Sequence, residues 1–106
     1  MRFGLKEEEI QAIVKVLSGY KQLQSAILYG SRAKGTFKTY SDIDLTLIGD
    51  GLDLSMLQKI ETELDDLLLP YKMDISLFKH IKNNELLGHI HRVGKPFYVS
   101  QSEVNS

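Results

Sequence analysis

The 106-residue chain contains no cysteine. That excludes a disulfide framework, a thiolate zinc site and a cysteine nucleophile. It contains no run of 18 apolar residues, so the sequence predicts no membrane-spanning helix. It has no excess charge of either sign: 13 basic and 14 acidic residues leave a formal charge of −1. Net charge thus gives no support for non-specific binding to nucleic acid or to an anionic membrane, and neither is an expected partner. The opening MRFGLKEEE turns acidic at once and lacks the apolar core of a secretion signal, so a cytoplasmic protein is expected. No repeat and no low-complexity tract is visible. With 42% hydrophobic and 25% charged residues, the composition is that of an ordinary soluble domain. The length allows one core. Residues 1–100 are expected to form a single domain, and 101–106 a polar, disordered tail.

Ile10, Ile13, Val14 and Leu17 recur at helical spacing, behind three glutamates that suit the positive end of a helix dipole. Gly19 is a plausible stop. Ser25 to Tyr29 reads as a short strand, and Gly30 to Tyr40 as a loop rich in Ser, Thr, Lys and Arg. Asp42 to Ile48 alternates strictly, with Ile43, Leu45 and Leu47 on one face and Asp42, Asp44 and Thr46 on the other. Leu57, Ile60, Leu64, Leu67 and Leu68 form a second helical stripe, with Ser55 and Gln58 as a capping box and Pro70 as its end. Met73 to Leu77 alternates again, setting Asp74 and Ser76 opposite the apolar residues. Asn83 or Asn84 caps a last helix that Gly94 ends.

A helix links the second strand to the third, so those two should be parallel. Only twelve residues, Gly30 to Ser41, link the first to the second, so that pair should be antiparallel. The expected fold is α/β: a small mixed sheet of three strands with helices on one face. In that topology the end of the first strand, with Gly30 and Ser31, meets the start of the second, with Asp42 and Asp44. Asp74 enters at the same edge.

Aspartate is depleted in strands because it competes for backbone hydrogen bonds and buries badly. Here three lie on one strand face. Asp42 and Asp44 sit two apart, with α-carbons about 6.6 Å from each other, and Asp74 lies on a strand about 4.8 Å away. Carboxylates that close repel unless a cation lies between them. Oxygen donors suit Mg²⁺ or Mn²⁺, and metal pairs serve displacement at phosphorus. Gly30 allows an anion to approach the backbone, and Ser31 adds a hydroxyl and an N–H. Arg32, Lys34 and Lys38 bring positive charge. An anion cradle that faces a carboxylate metal site is what a nucleoside triphosphate with Mg²⁺ requires.

Gly30-Ser31, ten residues, then Asp42-Ile43-Asp44 is similar to the signature of the nucleotidyltransferase superfamily that includes DNA polymerase β. The fuller text, GSRAKG…SDIDL and then MDIS, resembles the minimal nucleotidyltransferase (MNT) family, over nearly the whole chain to GKPFYV. Lys34 stands where many relatives carry arginine. The resemblance implies that Asp42 and Asp44 hold two Mg²⁺ ions and that Asp74 completes the site activating the attacking hydroxyl. It implies that Gly30 and Ser31, with Arg32 and Lys34, bind the nucleotide. The implied reaction moves a nucleoside monophosphate, AMP from ATP, to a hydroxyl. Members this small are often paired with a helical HEPN-type protein, sometimes as antitoxin and toxin, and in some such pairs the MNT member adenylylates a tyrosine of its partner. The oligomeric state, homo- or hetero-, is left open. Two other readings stand beside it: an antitoxin that masks its partner by binding, and a free-standing transferase acting on a small molecule or an RNA end.

The remaining candidates have plainer readings. His89 and His91, two apart on a helix, point to different faces and do not suit one metal, and His80 stands alone. Tyr29 and Tyr40 flank the loop, where packing is a better reading than stacking on a base. Asp65 and Asp66 read as a solvated helix face.

Overall fold

A computed structural model describes residues 1–101. Of the polar tail expected at 101–106, all but Gln101 lies outside the described residues. Helix α1 runs over Glu7–Ser18. The Glu9 carboxylate accepts the Lys6 N–H at 2.8 Å and so satisfies one donor ahead of the first turn. Ile10, Ile13 and Leu17 are buried, as their spacing predicts. Strand β1 (Ser25–Tyr29), the five-residue helix α2 (Gly30–Lys34) and strand β2 (Ile43–Ile48) follow. The expected loop thus opens with one helical turn, which Gly35 ends at φ 83°.

Helix α3 covers Leu54–Asp65. Its cap is Asp53, whose side chain accepts the Met56 N–H at 2.9 Å, and not the expected Ser55. The helix also stops before Pro70. Leu67 and Leu69 reach the core from irregular chain, while Leu68 is turned out to solvent with φ 55°. Strand β3 (Met73–Leu77) is followed by a short 3₁₀ turn, Phe78–His80, then helix α4 (Asn84–Val93) capped by Asn83 through Leu86 N–H at 3.0 Å. Strand β4 (Lys95–Val99) closes the described chain.

The sheet order is β3-β2-β1-β4. β1 is antiparallel to β2 and β2 is parallel to β3, as the linker lengths require. There are four strands and not three: β4 adds antiparallel to β1, with its register broken between Ala26 and Ile27. KPFYV conceals a strand because Pro96 cannot donate to a ladder and is tolerated only at an edge or a bulge. Both conditions hold here, since Pro96 pairs with Ile27 at the break.

Helices α1 and α3 pack with Ala26, Leu28, Ile43, Leu45, Leu47, Ile75 and Leu77 into one core. Helix α4 lies on the opposite face of β1, its end against Ile27. The expectation of helices on one face only is corrected by this placement: α4 shares a face with the aspartates. Among the described residues no helix is long and apolar enough to cross a membrane.

Candidate active site

Register brings the site together. Tyr29 pairs with Asp44 across β1 and β2, and Asp44 pairs with Asp74 across β2 and β3. Side chains of directly paired residues share a face, so Tyr29, Asp44 and Asp74 form one row across the sheet. The next row is Ile27, Thr46 and Ser76. There the Ser76 hydroxyl donates to the buried Thr46 Oγ1 at 3.1 Å, which gives the acidic row a satisfied polar floor. Asp42 stands one residue before β2, exposed, and Asp74 is exposed as well.

Asp44 is the half-buried member of the three. Its carboxyl is pushed above the usual range, first by burial, then by the charges of Asp74 and Asp42; the His89 imidazole works the other way. Tyr29 is buried, and its hydroxyl is pushed up, first by that burial and then by the charges of Asp74 and Asp44, with the nearby Ser76 hydroxyl working against the shift. Tyr29 therefore packs, as expected; Tyr40 is 78% exposed at the rim.

Gly30 follows β1 with φ 75°, in the left-handed region that side chains rarely adopt. A methyl group on it would overlap Asp44 Oδ2. The glycine thus lets the backbone that leads into Ser31 lie against the carboxylate. Its N–H donates to His89 Nε2 at 3.0 Å, from a helix 59 residues further along, and the His89 ring meets the Tyr29 ring edge-on at 6.1 Å. Ser31 is the second residue of α2, and Lys34 is exposed at its end.

Arg32, expected to bind the nucleotide, has its guanidinium engaged by main-chain carbonyls and two aromatic rings. It is 2% exposed. Nη1 donates to the Phe3 carbonyl at 2.8 Å, while Nη2 and Nε donate to the Ser41 carbonyl at 2.9 and 3.2 Å. The guanidinium also lies over the rings of Tyr71, at 4.8 Å, and Phe37, at 5.4 Å. A fork of fixed donors, stacked on two rings, suits arginine alone. Its effect is to fasten the loop that ends at Ser41, and so to place Asp42.

Sequence reasoning missed His89 as part of this site, and Thr46 as its floor. Nothing local pairs a helical histidine with a glycine 59 residues earlier; only Asn83 and Gly94, which bound its helix, hinted where it lies. His80 and His91 are exposed, as are Asp65 and Asp66.

Among the described residues, no three His, Asp or Glu side chains stand close enough to enclose an ion by themselves. Asp42, Asp44 and Asp74 are therefore not one closed ligand shell. Magnesium does not need one, because it keeps several waters and is held by one or two carboxylates together with substrate phosphates. Asp44 beside Asp74, whose charge helps to raise the Asp44 carboxyl, fits that kind of half-built cation site.

Comparison with known proteins identifies the family and the fold. The family model "Polymerase beta, Nucleotidyltransferase" matches residues 11–103. The probable protein adenylyltransferase MntA of Haemophilus influenzae is 29% identical over 75 residues, which is 70% of this chain. The match spans 66% of that relative, just under two thirds of its length. Among solved structures, a toxin–antitoxin with AMP-PNP superposes at a TM-score of 0.67, with 23% identity, over 93% of this chain and 77% of that one. A tri-AMPylated HEPN toxin of Shewanella oneidensis in complex with its MNT antitoxin gives 0.66, with 19% identity, over 95% and 78%. At these identities the two structures establish a shared fold.

Proposed function

Because the chain belongs to the polymerase β nucleotidyltransferase family, we propose that it transfers AMP from ATP to a tyrosine hydroxyl of a HEPN-type partner and acts as the antitoxin of that pair. The observation that carries this reading is the single edge at which β1 delivers Gly30 directly against Asp44, with Ser31 next in the chain and Asp74 in register beside Asp44. An anion-binding turn and paired carboxylates thus face one another. The similarity to MntA supports the protein as acceptor, and the fold shared with MNT–HEPN complexes supports the partner. A reaction that consumes ATP with magnesium suits the cytoplasm, which is the location proposed for it.

In this reading Gly30 and Ser31 hold the triphosphate: the glycine gives room, and the serine gives a hydroxyl and an N–H. Lys34 is exposed one turn on and adds charge from the rim. Asp42, Asp44 and Asp74 would hold Mg²⁺, or Mn²⁺, which when bound neutralises phosphate charge and lowers the pKa of the attacking hydroxyl. The acceptor oxygen forms a bond to the α-phosphorus, the bond from that phosphorus to the bridging oxygen breaks, and pyrophosphate leaves. The hydroxyl proton passes to water at the open edge. Arg32 keeps Asp42 in position through the Ser41 carbonyl. The edge is open, with Asp42 and Asp74 both exposed, so a partner that covers it would exclude water and orient the acceptor.

The test is intact mass spectrometry of this protein and its partner after incubation with ATP and Mg²⁺. The mass of one AMP moiety should appear on the partner, and it should be absent with Asp44→Asn. A partner inhibited without any mass change would establish masking instead. Rapid transfer to a small molecule or an RNA end without a partner would establish a free-standing enzyme.

A further inference from the structure

We propose that His89 is a positioning residue for the nucleotide-binding turn: it holds the Gly30 peptide in place through Nε2 and so sets where Ser31 points. This rests on the nucleotidyltransferase reading above. The N–H groups that open a helix have no partner within it. Gly30 N–H is such a group, and the ladder offers it none, because pairing of β1 with β2 ends at Tyr29 and Asp44. The partner comes from α4, as the 3.0 Å bond to His89 Nε2.

Three features suit His89 to this task. It adjoins Ile90, which is buried and anchors α4. Its ring is braced edge-on by Tyr29, the residue before Gly30, so one imidazole constrains two successive residues of the turn. It acts at a peptide with φ 75°, which stays in that region only while its surroundings hold it there. Accepting the Gly30 N–H takes up the lone pair of Nε2. His89 need touch neither nucleotide nor metal. Its effect is on the peptide that does, and through the Gly30 contact with Asp44 it also limits where that carboxylate can move.

Two substitutions separate this role from simple packing. His89→Leu keeps bulk but removes the acceptor. His89→Gln keeps an acceptor oxygen on a side chain of similar reach. The probes are calorimetric titration with AMP-PNP and Mg²⁺, steady-state transfer of AMP to the partner with ATP varied, hydrogen exchange of the Gly30 amide, and thermal melting. We expect His89→Leu to raise the AMP-PNP dissociation constant and the KM for ATP about tenfold, the scale of one lost hydrogen bond. The kcat should change less, and Gly30 amide protection should fall. His89→Gln should restore most of both. If His89→Leu binds AMP-PNP as the wild type does, the inference is overturned. It is overturned equally if His89→Gln is as impaired as His89→Leu, or if the binding losses merely follow the loss of melting temperature. A wild-type protein that neither binds AMP-PNP nor transfers AMP would remove the nucleotidyltransferase reading, and this inference with it.

Discussion

Gly30 and Asp44 touch through the one position where a side chain is missing: a methyl group on Gly30 would overlap Asp44 Oδ2. The same glycine sits at φ 75°, so contact and conformation make the same demand. Gly30→Ala should therefore act twice. It should cost about 1–3 kcal/mol of stability from backbone strain, and it should displace the Asp44 carboxylate. Chemical denaturation measures the first effect and AMP transfer the second. A variant with wild-type stability and wild-type transfer would show that the close approach has no role.

Asp44→Asn should abolish transfer and stabilise the metal-free protein at neutral pH. The sign follows from the raised carboxyl: the folded state binds the Asp44 proton more tightly than the unfolded chain does. The contribution of Asp44 to stability is full below the ordinary carboxylate pKa. It falls as pH rises through the raised value and stays low above it. The advantage of the asparagine variant should then be present at pH 7 and shrink towards pH 3. Melting curves in EDTA across this range provide the measurement; a variant less stable than wild type at pH 7 would contradict it.

Arg32→Ala should be a folding mutation. It strips the carbonyls of Phe3 and Ser41 of their buried donors and removes the stacking on Phe37 and Tyr71. The expected loss is about 2–4 kcal/mol. Arg32→Lys should recover only part of it, because an ammonium cannot supply the fork. Urea unfolding of the three proteins decides the matter. If stability were unchanged while ATP binding was lost, the guanidinium would be a nucleotide ligand after all.

Ser31→Ala should show the opposite profile. The residue is the second of a five-residue helix and is only partly buried, so little packing is lost. A hydrogen bond to a charged phosphate oxygen is worth about 1.5–3 kcal/mol, or roughly tenfold or more in affinity. Titration with AMP-PNP and Mg²⁺ should find that loss, with melting unchanged. Equal affinity would take the hydroxyl out of the site.

What the sequence determined by itself was whatever repeats over short distances. Alternation placed Asp42, Asp44 and Asp74 on polar strand faces. Linker length set β1 antiparallel to β2 and β2 parallel to β3, and with these the meeting of Gly30, Asp44 and Asp74 at one edge. Resemblance of the GS…DID spacing supplied the chemistry. What only the tertiary structure decided depends on groups with no local signature. Arg32 looked like a phosphate ligand because an arginine beside a glycine-serine turn is locally indistinguishable from one; its partners are main-chain carbonyls of Phe3 and Ser41, which any sequence carries. His89 joined the site because α4 packs on the face of β1 opposite α1 and α3, and a helical stripe says that a face is buried but not against what. β4 stayed hidden because Pro96 argues against a strand until the bulge beside Ile27 accommodates it. Periodicity is a property of neighbours in the chain, whereas a hydrogen bond spanning 59 residues exists only once the sheet has brought its two ends together.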